Sequence, residues 1–310
     1  MTIERKKILI LFCGSSENKT KNGLSDWITN MPELEIIADI DSEYIKSEQK
    51  DFLSPLFWQQ VAQAINQKQK NYNGFVIIHP VETLLYTACA QSFLLHYLKK
   101  PIIFTSAHQK NLQDENQLSV KANLINSVQV ATYNFGEVAV MFGNKLIRAN
   151  QAQRVFDHSL NTFKASDSAV LGKIDFSIRI FEKNIIKKQV FSKFKFELNN
   201  NVDYLKIQPV FNIEELSRRC LTKAGIFVEG QGHQLPNALK NLFSKLSNIA
   251  IVLFDVSHQP DQKNIISINN MTLEASLVKF MYVLAQTKKL DKIKKLMQTD
   301  IAGEIISSKH

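Results

Sequence analysis

Residues 7–12 form an unbroken apolar run closed by Gly14-Ser15-Ser16. This is the pattern of a parallel strand buried on both faces and ending in a tight loop. Loops at such strand ends are where open α/β sheets bind ligands. The same pattern predicts a second strand at residues 35–40, then a helix over 55–65 with Leu56, Phe57, Val61, Ala64 and Ile65 on one face. Residues 74–79 (GFVIIH) read as a third buried strand. Residues 82–98 read as a largely apolar helix stopped by Lys99-Lys100-Pro101, cations that the helix dipole favours at that end. A strand follows at 102–105. After a polar loop (108–117), residues 120–133 read as a helix and 138–142 as a strand, with Gly143-Asn144 turning into 145–148.

Strands alternating with helices imply an α/β protein whose mostly parallel sheet is covered on both faces. Around residues 181–201 the pattern dissolves into a Lys- and Asn-rich stretch. The expected layout is an N-terminal domain at 1–185, a linker at 186–202 and a C-terminal domain at 203–310. In the C-terminal part, strands are predicted at 204–210, 226–229 and 249–254 and helices at 213–223 and 236–246. A closing helix starts at Leu273 and places Leu273, Leu277, Phe280, Met281 and Leu284 on one stripe. Residues 256–269 read as a loop.

The chain has 310 residues, 45% hydrophobic and 22% charged. That is enough to bury roughly 75% of the unfolded surface and to make two domains, and it excludes a disordered chain. No run approaches the ~18 apolar residues of a membrane-spanning helix. The N-terminal stretch reads as a strand rather than a signal peptide, so the expected location is the cytoplasm. Cys13, Cys89 and Cys220 are widely spaced and odd in number, which suits reduced thiols and shows neither a disulfide nor a metal-ligand pattern. No cofactor is expected. The net charge of +9 comes from scattered lysines, densest in EKNIIKKQVFSKFKF and KKLDKIKK. Without a nucleic-acid motif beside them, these read as a solvated basic surface.

Three long phrases carry a resemblance. HPVETLLYTACAQSFLL (79–95) is similar to HGTDTMAYTASALSFML of the cytoplasmic, type I L-asparaginases. NLINSVQVATYNFGEVAVMFGNKLIRANQAQR (123–154) is similar to their NLLNALYVA phrase with the following strand and FGGKLLRGNRATK. NMTLEASLVKFMYVLAQ (270–286) is similar to DMTVEATLTKLHYLLSQ. The order is the same. The resemblance implies a larger N-terminal doubly wound domain, a smaller C-terminal α/β domain, and a homodimer or homotetramer whose sites are completed by a neighbour's C-terminal domain. It also implies a small-molecule partner, an amino acid or its amide. The family includes an asparaginase-like subunit of a tRNA-dependent amidotransferase. This chain starts directly at its first strand, so that subunit is not the expectation.

Amide hydrolysis in the family starts with attack by a hydroxyl, a weak nucleophile that needs an activating partner. The family's Gly-Gly-Thr-Ile-Gly loop resembles Gly14-Ser15-Ser16-Glu17-Asn18, which places Ser16 at the nucleophile position. Ser15 and Ser16 also suit an ordinary turn, and Glu17 adds a charge that repels a carboxylate substrate. The catalytic Gly-Thr-Asp-Thr becomes Pro80, Val81, Glu82 and Thr83. Val81 has the shape of threonine but no hydroxyl. The catalytic lysine position holds Arg154, which stays protonated and cannot serve as a base. Glu82 and Arg154 suit a carboxylate–guanidinium pair.

Substrate-holding positions map to Ser42 and Glu43 (the family's Asp-Ser-Ser), Ala107, His233 (its inter-subunit asparagine) and Glu274 (its glutamate for a neighbour's substrate amino group). By itself Glu274 is a first-turn helix carboxylate that the dipole favours. His79 offers a rebuilt base for Ser16, or a structural histidine. The leading expectation is weak or lost hydrolysis of L-asparagine. The alternatives are an active amidohydrolase using Ser16, and a non-catalytic amino-acid-binding or subunit-interaction protein.

Overall fold

The computed structural model describes residues 5–15, 31–47, 51–106, 117–155, 162–186, 195–210, 212–258, 260 and 262–307. The chain divides into two compact units, Met1–Val190 and Phe191–His310.

The first unit opens with β1 (Lys7–Ser15), whose residues 8–13 are almost wholly buried. A short helix α1 (Pro32–Ile37) follows, then β2 (Asp39–Ser47). The expected strand at 35–40 is therefore corrected: most of it is helix, and the strand starts later and runs longer. Pro32 stands at the first helical position, where its missing N–H costs nothing. Ile36 is 84% exposed, so its apolar side chain gives a misleading signal of burial. β2 lies at the sheet edge, and its polar sequence DIDSEYIKS suits that place. Asp41 pairs with Lys7 at 2.9 Å, and Glu43 pairs with Lys68.

Next come α2 (Pro55–Lys68), β3 (Gly74–Ile78), α3 (Leu84–Leu94), β4 (Ile102–Thr105), α4 (Gln117–Ala131), β5 (Val138–Phe142) and β6 (Lys145–Arg148). A small ribbon pairs β7 (Gln153–Arg154) with β8 (Phe163–Lys164). The unit ends with the hairpin β9 (Val170–Ile174) and β10 (Ile178–Ile180), which the sequence pattern did not predict. The main sheet runs β10-β9-β6-β5-β4-β3-β1-β2. Strands β1 to β5 pair in parallel, while β6, β9 and β10 extend the edge antiparallel. α2 packs on α3, and α4 packs over β3 and β4. α3 is buried nearly all round, from Leu84 to Leu94 with only Tyr86 partly exposed, which is why its sequence lacks a polar stripe.

The second unit is a four-stranded parallel sheet in the order β11 (Val202–Lys206), β12 (Gly225–Glu229), β13 (Ala250–Phe254) and β14 (Ile265–Ile268). Helices α5 (Ile213–Cys220), α6 (Asn237–Lys245), α7 (Leu273–Gln286) and α8 (Leu290–Gln298) complete it. β14 lies in the stretch read as a loop, because four residues with polar flanks are too short to show a period. Among the described residues no helix is long and apolar enough to cross a membrane.

Candidate functional site

In the first unit, β1, β2, β3 and β4 all point their C-terminal ends the same way, because the four strands are parallel. Register places Ser15 opposite Ser47, Phe12 opposite Ile78, and Ile78 opposite Thr105. This edge is where an open α/β sheet presents its ligand site. A Cβ at Gly14 would sit 2.5 Å from the Tyr44 hydroxyl oxygen, so a larger residue there would displace that ring. Just past β3 come His79, Pro80, Val81, Glu82 and Thr83. Val81 is buried and Glu82 is exposed. The hydroxyls of Thr83 and Thr105 are both buried without a hydrogen-bond partner among the described residues.

His79 is only 1% exposed and packs among the rings of Phe52, Phe57 and Phe104. Its Nδ1 lies 2.9 Å from the Pro80 carbonyl oxygen, which can only accept, so Nδ1 carries the proton. Nε2 then accepts from the Thr87 hydroxyl at 2.9 Å. Burial pushes the imidazole down to about 4, against the opposing pull of the Pro80 carbonyl and Glu82. Both ring nitrogens are thus hydrogen-bonded to neighbouring groups, the arrangement of a structural histidine.

A pH effect follows from this burial. The imidazole has a depressed pKa in the folded state, so its contribution is complete above 6.5 and is lost as pH falls from 6.5 through about 4. The loss by pH 4 is about 3 kcal/mol. Urea unfolding at pH 7 and pH 4 is expected to show a smaller drop in His79→Gln than in the parent by that amount. Equal drops would refute the assignment.

Arg154 lies half-buried on β7, opposite Phe163. It follows the turn Ala149–Gln151, which packs on α3. Ser16 and Ala107 fall outside the described residues. Ser42 and Glu43 are not at the strand ends: they sit mid-strand in β2, opposite Ile10 and Leu11. The residue that β2 brings to the level of Ser15 is Ser47, which is 1% exposed. The hydrophobic pattern does not mark it, because this end of β2 is polar in sequence.

The family description "Asparaginase, N-terminal" matches residues 13–186, more than half of the chain. The chain belongs to the asparaginase family. An L-asparaginase of Dirofilaria immitis is 28% identical over 276 residues, covering 81% of this chain but 46% of the relative, so the chain spans about half the length of that protein. A glutamyl-tRNA(Gln) amidotransferase component of Sulfolobus acidocaldarius is 26% identical over 306 residues, covering 89% of this chain and 68% of the relative. In fold, the chain is similar to the thermostable L-asparaginase from Thermococcus kodakarensis, with a TM-score of 0.76, 23% identity, and coverage of 97% of this chain and 100% of the other.

The second unit of this asparaginase-family chain carries the other two mapped positions, both at the C-terminal edge of its sheet. His233 follows β12 in the loop Gly230-Gln231-Gly232, where Gln231 adopts φ 51°, a left-handed conformation costly for a side chain of its kind. Its backbone is held by His233 N–H to Gly230 at 2.9 Å and Ser257 N–H to His233 at 3.1 Å, while its imidazole side is exposed. Glu274 lies in the first turn of α7 and is half-buried. Burial raises its carboxyl above the ordinary range, and the negative charge of Glu229 adds to the effect. Glu229 itself accepts from the Tyr204 hydroxyl and lies 3.7 Å from the Lys206 ammonium. Glu229 and Tyr204 were not singled out from sequence, because their pairing spans two strands.

Proposed function

We propose that this asparaginase-family protein binds a small amino acid or its amide and hydrolyses the amide weakly or not at all. The observation that carries this reading is Val81 at the end of β3. A methyl group there stands where the family's chemistry needs a hydroxyl, and the neighbouring His79 has no free ring nitrogen to replace the lost group. Arg154 supports the same conclusion, because a guanidinium does not give up its proton at physiological pH. Recognition is supported by polar residues at or just past the strand ends of each unit: Thr83 and Thr105, whose hydroxyls are buried without a partner among the described residues, in one, and Glu274 and Glu229 in the other.

The test pairs turnover with binding. Purified protein with asparagine is expected to release ammonia at a rate orders of magnitude below the ~10 per second typical of enzymes. Aspartate or asparagine at about a hundred times its Kd is expected to stabilise the fold by about 2.7 kcal/mol. Turnover in the ordinary enzymatic range overturns the catalytic half of the reading. Loss of that turnover in Ser16→Ala then identifies a working amidohydrolase. A flat thermal response across amino acids and their amides overturns the binding half.

A further inference from the structure

Lys279, in the middle of α7, and Glu304, near the end of the described chain, are both wholly buried. The ammonium meets a Glu304 oxygen at 2.5 Å and donates to the carbonyls of Met297 at 2.9 Å and Thr299 at 2.6 Å. All three of its protons are used. Glu304 also accepts the amide protons of Ile301 at 3.1 Å and Ala302 at 2.7 Å. One ion pair thus ties the middle of α7 to the last turn of α8 and to the segment that follows it. Met271 Sδ, just before the α7 N-cap Thr272, lies 4.0 Å from the same ammonium. The Ile306 N–H donates to the Asn270 carbonyl at 2.8 Å, so the segment returns to the start of α7.

A buried ion pair is weak grounds for stability, since apolar side chains of similar size often do as well. What apolar packing lacks is direction. Glu274 sits in the first turn of α7, half-buried and beside the Glu229 charge. Both effects favour letting that turn fray so that the carboxylate reaches water. The segment 299–306 opposes this in two ways: the Ile306 N–H holds the Asn270 carbonyl just before the turn, and the segment fixes the Lys279 ammonium that lies beside Met271 Sδ.

We propose that Lys279 and Glu304 are positioning residues for Glu274: by clamping segment 299–306 beneath the entrance of α7 they hold the Glu274 carboxylate in place for the amine of a bound amino acid. The ligand in this statement rests on the function proposed above; the positioning does not.

The double variant Lys279→Met, Glu304→Gln removes both charges, nearly keeps the volumes and leaves an acceptor for the amides of Ile301 and Ala302. Its fold is checked by circular dichroism. Carbon-13 NMR titration of Glu274 is expected to show a raised pKa in the parent that returns toward the ordinary range in the variant. Aspartate affinity is expected to fall by about tenfold. If the double variant fails to fold, Ile306→Pro, which removes the N–H to Asn270 and fixes φ at that residue, is expected to shift Glu274 in the same direction by less. A Glu274 pKa unchanged in the folded variant overturns the proposal. A parent chain that binds no aspartate, yet whose Glu274 pKa falls in the variant, sinks the amino-acid reading and leaves the positioning role standing.

Discussion

Installing Val81→Thr and Arg154→Lys together is expected to raise ammonia release from asparagine by at least about a hundredfold over the parent chain, while either change alone gives less than about tenfold. A hydroxyl without an acceptor for its proton is a weak nucleophile or relay, and an amine without that hydroxyl has nothing to activate. Groups that act as a unit are strongly non-additive, so the signature is the excess of the double variant over the product of the two single ones. Threonine has nearly the shape of valine, so the replacement at the end of β3 disturbs packing little. A buried hydroxyl left unpaired there costs about 1–3 kcal/mol. Lysine at 154, unlike arginine, can lose its proton when desolvated. A folded double variant no faster than the parent would mean that the missing chemistry lies elsewhere, with the altered loop after β1 first in line.

The sequence was most legible where burial is two-sided. GFVII, IIFT, VAVMF and AIVLF are continuous apolar runs and became β3, β4, β5 and β13, because a strand covered on both faces needs no polar side. β2 was hidden for the opposite reason. As an edge strand it carries Asp41 and Glu43, stabilised by lysines far away in sequence, and only the pairing with β1 reveals it. The same pairing puts Ser42, which the family resemblance maps to a substrate-holding position, in mid-strand and Ser47 level with Ser15 at the strand ends. For His79, the residue and its position could be read, but not its role. The decisive partner is Thr87, eight residues on and brought round by α3, and the tautomer follows from a carbonyl whose direction depends on the backbone. Lys279 and Glu304 lay inside or near a recognised phrase, yet nothing in a linear pattern pairs residues 25 apart across a helix and a returning chain end.

Replacing Glu137 by alanine is expected to cost about 3–5 kcal/mol of stability. Glu137 and Arg148 are 2% and 4% exposed and meet in a bidentate pair, with Nε to Oε2 at 2.8 Å and Nη2 to Oε1 at 2.9 Å. The same carboxylate accepts the Ile186 N–H at 2.8 Å, and the guanidinium donates to the Asn184 carbonyl at 2.5 Å. The pair therefore joins the start of β5 and the end of β6 to the stretch that leaves the unit. Alanine leaves a guanidinium buried without its counter-charge, and the penalty is that of desolvating a lone cation rather than of losing one contact. The double replacement Glu137→Leu, Arg148→Met, which removes both charges and keeps the volume, is expected to stay within about 2 kcal/mol of the parent. Chemical denaturation of the three proteins decides the matter: equal losses in single and double variants would show that the cost lies in packing and not in charge.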